Sequence, residues 1–394
     1  MSGLAAKLQR LKAPPLALSG GAAGDGVEAV IAPASGSSGQ GERVLLQDRT
    51  HGPGYRHGRV LIGDARTANA ATVASLALDE GLAGIDASRM LLVDTETTGL
   101  QSGSGTLPFV IGLAWFEAGA LVVRQLFVPR PGQERPLLQR LAERLHGTSV
   151  LVTFNGKCFD WPLLRTRFVM NRLEAPPQLP HLDLLHVARR VFKRRLGATR
   201  LTDLEQQVLD FHREGDIAGA DIPAVYFDWL RHGRPADIER VLEHNAQDLI
   251  SMAAVLAELC RRFEAPADDD AAEDCLGLAR VAERAGDEQR AWRFAAQAAR
   301  RSTSPEVAFD ACAFLAKLCV RHRAWADAAR WLERATRVRS ERAAVAHLAY
   351  ARVCEHGLRD FARALLHARL GSAAESAEAS SRRVARISRR LVGQ

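Results

Sequence analysis

At 394 residues, with 47% hydrophobic and 25% charged side chains, the chain has enough apolar material for two cored domains and too much to be broadly disordered. A net charge of +7 and a pI of about 9.4, with Arg far outnumbering Lys, exclude an acidic solvating protein and suit a polyanionic partner, although an Ala- and Arg-rich genomic composition accounts for the excess equally well. The longest apolar runs, such as Phe109 to Phe116, are too short to cross a bilayer, and Pro14-Pro15 interrupts any leader-like core after Lys7, Arg10 and Lys12. The six cysteines form no Cys-x-x-Cys pair and mostly fall in apolar helical patterns, as small buried residues of a reducing compartment do. A cytoplasmic protein without membrane attachment is expected.

In chain order, residues 1–41 are rich in Gly, Ala and Ser and are expected to be disordered apart from a short amphipathic turn at Leu4 to Leu11. Residues 42–87 read as an extension packing on the main domain. In it Val44-Leu45-Leu46 and Val60-Leu61-Ile62 flank a Gly-Pro-Gly turn as a hairpin-like decoration, and Ala70 to Leu82 resembles a helix. Residues 88–263 form that main domain. The run Met90-Leu91-Leu92-Val93 ends in Asp94-Thr95-Glu96-Thr97-Thr98-Gly99-Leu100 and reads as a buried strand, on which Asp94 and Glu96, two apart, face the same side. Acids beside an apolar core call for a Lys, an Arg or a hard cation between them, and no Lys or Arg lies between Met90 and Leu121. Phe109 to Phe116 and Ala120 to Val128 complete an antiparallel meander. A helix over Pro136 to His146, a strand over Val150 to Phe154, a helix to about Met170 and a long helix over Pro235 to Phe263 make an α/β layer fold of the ribonuclease-H-like kind, a mixed sheet with flanking helices.

Asp183 to Leu196 reads as a helix with one apolar face and Arg189, Arg190, Lys193 and Arg194 opposite, which with Arg195 makes a candidate phosphate track. Residues 264–274, rich in Asp, Ala and Pro, read as a linker. Over residues 275–371, Gly286-Asp287-x-x-x-Ala291, Arg323-x-Trp325-x-x-Ala328 and Arg359-x-Phe361-x-x-Ala364 recur at intervals of 37 and 36 residues, close to the tetratricopeptide period, so an all-α tetratricopeptide-like repeat region is expected. Residues 372–394 end the chain as a basic helical tail.

Three groups of acids line up: Asp94 and Glu96, Asp160 at a helix start, and Asp248 on the long helix, with His244 one turn before it on the same face. Four carboxylates meeting at a sheet edge suit two Mg²⁺ or Mn²⁺ ions, and a neighbouring His suits orienting a water and taking its proton. Leu92-Val93-Asp94-Thr95-Glu96-Thr97-Thr98-Gly99, Phe154-Asn155-Gly156-Lys157-x-Phe159-Asp160 and His244-Asn245-x-x-Asp248 resemble the three motifs of the DEDD (DnaQ-like) exonuclease superfamily. The layout with His181-x-Asp183-Leu184-Leu185 and a repeat-containing tail resembles its YprB-like branch.

The resemblance implies metal-dependent removal of nucleotides from a 3′ end. In it Asp94, Glu96, Asp160 and Asp248 are the metal ligands, with Asp94 bridging both ions, and His244 stands at the general-base position. That His lies four residues before the last acid, where proofreading-type members use five and members with Tyr use four. Thr97, Asn155 and Lys157, with Arg189, Arg190 and Lys193, are the expected substrate contacts, although Asn155 also suits closing a turn and Asp183 capping its helix. The expected activity is a 3′ to 5′ exonuclease on DNA in repair or processing. Alternatives are an RNA 3′ exonuclease and a non-catalytic scaffold recruiting partners, such as a helicase, through its repeats.

Overall fold

A computed structural model describes residues 45–99, 105–338, 340 and 342–393. The expectation of disorder over residues 1–41 lies outside the described residues, as does Leu100. The described chain divides into two compact units: residues up to Arg189 with Ala198–Glu264, and Arg190–Gly197 with Ala265–Gln394.

The first unit is built on a six-stranded sheet, ordered β1-β6-β5-β4-β7-β8. The strands are β1 (Leu45–His51), β2 (Arg56–His57), β3 (Val60–Leu61), β4 (Met90–Thr97), β5 (Pro108–Glu117), β6 (Ala120–Phe127), β7 (Val150–Thr153) and β8 (His181–Asp183). The expected meander is present: β4, β5 and β6 pair antiparallel, and β7 and β8 add to β4 in parallel. Both faces of β4 are covered, so its sequence is continuously apolar rather than alternating until the acids begin. The register shifts between Glu96 and Thr97, a bulge of the kind that re-aims side chains beside functional sites. Flanking helices are α1 (Ala70–Ala77), α2 (Arg135–Leu145), α3 (Asp160–Met170), α4 (Leu184–Leu196), α5 (Leu201–Leu204, continuing as a π-turn through Leu209), α6 (Ile222–His232) and α7 (Pro235–Glu264). Leu137, Leu138, Leu141 and Leu145 make α2 amphipathic and bury it against the sheet core with Phe109, Phe127, Tyr226 and Trp229.

Two expectations about this unit are corrected. The hairpin across residues 44–62 does not form: Leu45–His51 instead adds antiparallel to the edge of β6, fixed by the Arg124 fork on Asp48 (2.8 Å from Nε), while Val60–Leu61 pairs with Arg56–His57. The open edge of β6 offers a full ladder of backbone partners, which a two-residue hairpin arm cannot match. His181–Asp183, expected as the end of a loop and the start of a helix, is a third parallel strand before α4 begins at Leu184.

The second unit is helical. Its helices are α8 (Ala272–Arg284), α9 (Glu288–Arg301), α10 (Pro305–Arg321), α11 (Trp325–Arg337), α12 (Ala343–Arg352), α13 (Phe361–Leu370) and α14 (Ala377–Val392). The recurring sequence feature marks the turn inside each of three helix pairs. Gly286, Arg323 and Arg359 all take positive φ (80°, 56° and 58°), and Ala291, Ala328 and Ala364, a few residues later, are fully buried where paired helices approach. One further expectation fails here: Asp274, assigned to a linker, is buried inside α8. The basic tail is helical as expected, and it is packed: its Ile387 is buried and its Arg386 and Arg390 bind the buried Glu355. Of the six cysteines five are buried as expected, and Cys158 is exposed.

Candidate active site

The site lies where β4 meets α7. Asp94 pairs with Gly112 on β5, which pairs with Gln125 on β6, so the three residues form one row across the sheet. Asn245 of α7 lies on this row: its Nδ2 donates to Asp94 Oδ2 (2.8 Å) and its Oδ1 accepts from Gln125 Nε2 (2.8 Å). A Cβ at position 112 would stand 2.2 Å from Asn245 Oδ1, so glycine is required there by close approach. The fully buried Asn245 therefore fixes the Asp94 carboxylate.

Asp160 opens α3 and is buried, accepting a short hydrogen bond from Thr95 Oγ1. The loop before it is fixed by Asp183, whose carboxylate accepts from the backbone N–H groups of Asn155 (2.8 Å), Lys157 (3.1 Å) and Leu185 (3.1 Å). Asp183 thus caps α4, as its sequence position suggests, and also pins the turn in which Asn155 takes φ 68°. His181 Nε2 meets Thr153 Oγ1 at 2.8 Å on the same edge.

Asp94 and Glu96 share two charged neighbours, Asp160 and Asp248. Burial first, then the charges of Asp248, Glu96 and Asp160, push the Asp94 carboxyl well above the carboxylate range, against the opposing Asn245 hydrogen bond. Glu96 is raised likewise by burial, Asp248 and Asp160, opposed by Arg213. Burial also raises Asp160, to about 6, against the Thr95 hydrogen bond.

His244 stands on α7 one turn before Asp248, with Nε2 3.8 Å from Asp248 Oδ2. Its Nδ1 lies 2.8 Å from Asp216 Oδ1, so Nδ1–H donates to Asp216 and Nε2 is the ring nitrogen turned toward Asp248. Burial raises Asp216, but the His244 hydrogen bond and charge and the Arg213 guanidinium outweigh it and hold this carboxyl below its ordinary range. Arg213 donates to Asp248 and lies 3.3 Å from His244 Nδ1.

Among the described residues no three His, Cys, Asp or Glu side chains are grouped closely enough to hold a metal ion. Arg213, Thr95 and Asn245 each engage an oxygen of Asp248, Asp160 and Asp94 respectively, oxygens that a cation would otherwise take. The donor set nevertheless fits a hard divalent cation: it is all carboxylate oxygen, and Asp94 and Glu96 in it are pushed upward by burial and by their acidic neighbours.

The expected substrate residues differ in exposure and in partners. Thr97 is buried and donates to Gly99 O (2.7 Å), and Asn155 is exposed. Lys157 is exposed with Nζ 3.8 Å from Asp79 Oδ2, so its ion pair is with Asp79. Arg189 and Lys193 are exposed on α4 and Arg190 is half-buried, whereas Arg194 and Arg195 bind Asp310 (2.6 Å) and Asp274 (2.7 Å). Sequence reasoning missed Asn245, although it lies inside the third motif, and also Gln125, Arg213 and Asp216. The last two sit in a loop without periodicity, where the only signal is an Arg-x-x-Asp spacing.

Compared with known proteins, residues 91–260 match a family described as RNase_H superfamily (RNase_H_2). The sheet unit is accordingly a ribonuclease-H-like domain, which suggests nucleic-acid-cleaving activity, and nucleases of this kind typically use divalent metals. Over 182 residues the chain is 35% identical to the uncharacterized protein YprB of Bacillus subtilis (strain 168), an alignment covering 46% of this chain and 44% of that protein. The chain thus matches less than half the length of this curated relative. Among solved structures, the family B DNA polymerase from the hyperthermophilic archaeon Pyrobaculum calidifontis aligns at 12% identity and a TM-score of 0.36, over 59% of this chain and 29% of that one. No helix among the described residues is long and apolar enough to cross a membrane.

Proposed function

We propose that the protein is a DEDD-type 3′ to 5′ exonuclease, acting on DNA in a repair or processing role. The observation that carries this reading is that Asp94 and Glu96 both have Asp160 and Asp248 among their charged neighbours, with Asn245 fixing Asp94, Thr95 fixing Asp160 and a His ring oriented by Asp216. Asp94, Glu96, Asp160 and Asp248 would hold two Mg²⁺ or Mn²⁺ ions. Bound there, the ions lower the pKa of an attacking water and stabilise the leaving oxygen. His244, with Nδ1 donating to Asp216, presents Nε2 to take the proton of that water. Asn245 and Thr95 keep Asp94 and Asp160 from turning away from their neighbours, so little ordering remains for the reaction itself. Thr97, Asn155, Lys157, Arg189, Arg190 and Lys193 are assigned to the nucleic acid strand.

The helical unit is read as tetratricopeptide-like repeats that dock a partner protein. Support comes from its recurring turns and from a cavity of about 430 Å³ lined by Phe309, Val320, Trp325, Val345 and Val353.

Digestion of 5′-labelled oligonucleotides with and without Mg²⁺ or Mn²⁺ tests the reading. A metal-dependent ladder shortening from the 3′ end is expected, and a loss of at least about a thousandfold in rate in folded Asp248→Ala. Cleavage that persists in Asp248→Ala, or that needs no metal, contradicts it, and matched RNA substrates show whether the strand is RNA.

A further inference from the structure

The one cation bonded to the acid cage among the described contacts is Arg213, and it is unusually well fixed. Its side chain is nearly buried. Nε and Nη2 fork onto Glu205 (2.8 and 2.5 Å), Nη2 also donates to Asp248, and Nη1 donates to Asp216 Oδ2 (3.2 Å), the carboxylate whose other oxygen meets His244 Nδ1. Glu205 is itself buried and accepts from Ser251 Oγ (2.5 Å), and Ser251 Oγ lies 2.7 Å from His57 Nε2. The proton order is forced: Ser251 gives its only proton to Glu205 and so accepts from His57, whose Nε2 therefore carries a proton. His57 is buried against Phe211 with ring centroids 3.8 Å apart. The same short ribbon grips the π-turn that carries Glu205. Arg59 N donates to Leu209 O (2.8 Å), and a Cβ at Gly58 would come 2.1 Å from that oxygen. A continuous buried chain therefore runs from the β2–β3 ribbon through Ser251 and Glu205 to Arg213 and on to Asp248.

We propose that Arg213 is a positioning residue and resident counter-cation, set by the His57–Ser251–Glu205 chain, which holds Asp248 and His244 in place before metal arrives and in doing so weakens metal binding. The inference rests on the metal-dependent nuclease reading and gives the β2–β3 ribbon a task, the rigid support of the site. The two effects of Arg213 oppose each other. A guanidinium bonded to a ligand repels a dication across that carboxylate strongly in a partly desolvated site, whereas the rotamer order it imposes on Asp248 is a smaller gain. Removing it is therefore expected to tighten metal binding and yet slow the reaction, because Asp248 and His244 lose their fixed geometry. A residue that merely stabilised the fold would weaken both.

Mn²⁺ titration by calorimetry, on the full chain, separates these cases. Arg213→Gln is expected to bind Mn²⁺ about tenfold or more tighter than wild type while cleaving an end-labelled oligonucleotide about tenfold more slowly at saturating Mn²⁺. Arg213→Lys, which restores charge without the fork, is expected to return Mn²⁺ affinity toward wild type without restoring the rate. Ser251→Ala cuts the chain but leaves the guanidinium, so Mn²⁺ affinity is expected within about twofold of wild type with a reduced rate. These two variants carry the test should Arg213→Gln fail to fold. Unchanged or weaker Mn²⁺ binding in folded Arg213→Gln, or in its absence an Arg213→Lys and Ser251→Ala pair that both cleave at the wild-type rate, overturns the inference and leaves the nuclease reading standing. Wild type that binds no Mn²⁺ removes that reading, and the inference with it.

Discussion

Asp274 and Glu355 in the helical unit and Glu96 and Asp160 in the sheet unit are all buried, but their surroundings are opposite. Asp274 accepts the Arg195 fork at 2.7 to 3.0 Å, and Glu355 accepts two 2.8 Å bonds from Arg386 and a third contact from Arg390. The charges of Arg386, His356 and Arg390, with the Arg386 hydrogen bond first, hold Glu355 below its ordinary carboxylate range in spite of burial. Glu96 and Asp94 have other acids as their strongest charged neighbours, and burial and repulsion push both upward. A desolvated acid with a dedicated guanidinium holds a fold together, whereas desolvated acids facing one another are a standing cost that the rest of the domain has to offset. The contrast separates structural from functional charge in a chain where both are abundant.

Three experiments sharpen the contrast. The largest effect is expected in the helical unit, where Arg195→Ala leaves Asp274 buried without its fork and should destabilise the protein by about 3–5 kcal/mol in denaturant unfolding. An effect below about 1 kcal/mol would show that the pair is not structural.

The second concerns the buried polar chain behind the site. Burial, reinforced by the charges of Arg213 and His51, lowers His57 from 6.5 to about 3, so the folded state binds fewer protons than the unfolded state between those values. Stability from this group is complete above pH 6.5 and is lost as the pH falls toward 3, on the order of a few kcal/mol. Thermal melts across this range should show the decline in wild type and a flatter one in His57→Gln, and parallel curves would refute it. The smallest effect is a gain. Replacing Asp94 by Asn keeps the Asn245 contact and removes one of the facing charges, which should stabilise the metal-free protein by about 1–2 kcal/mol at neutral pH.

Legibility in the sequence divides along the same line. The apolar run of β4 ending in Asp94 and Glu96, and the one-turn spacing of His244 and Asp248, are local patterns, and they place three acids and an imidazole on elements that meet. The repeat of Gly286, Arg323 and Arg359 was equally legible, because a left-handed residue before a small one has to recur wherever a helix hairpin recurs. Pairings made across the chain were not legible. β1 reads Leu-Leu-Gln-Asp-Arg-Thr-His without alternation, and only the open edge of β6 makes it a strand. β8 is three residues long and owes its form to parallel pairing with β7. Arg195 of α4 and Arg386 of α14 look like part of a phosphate track and of a basic tail until their acidic partners, distant in sequence, are seen: Asp274 for Arg195 and Glu355 for Arg386. Arg213 and Asp216 were hidden for the same reason, since a loop carries no period from which a side-chain direction can be read.

The most direct test of the central claim, that the sheet unit holds its acids together for catalysis at the expense of stability, is to measure Asp94→Asn for both properties at once. The metal-free variant should unfold at a higher temperature than wild type and should fail to digest a 3′ end in Mn²⁺. A variant that is less stable than wild type, or that still cleaves, would contradict the claim.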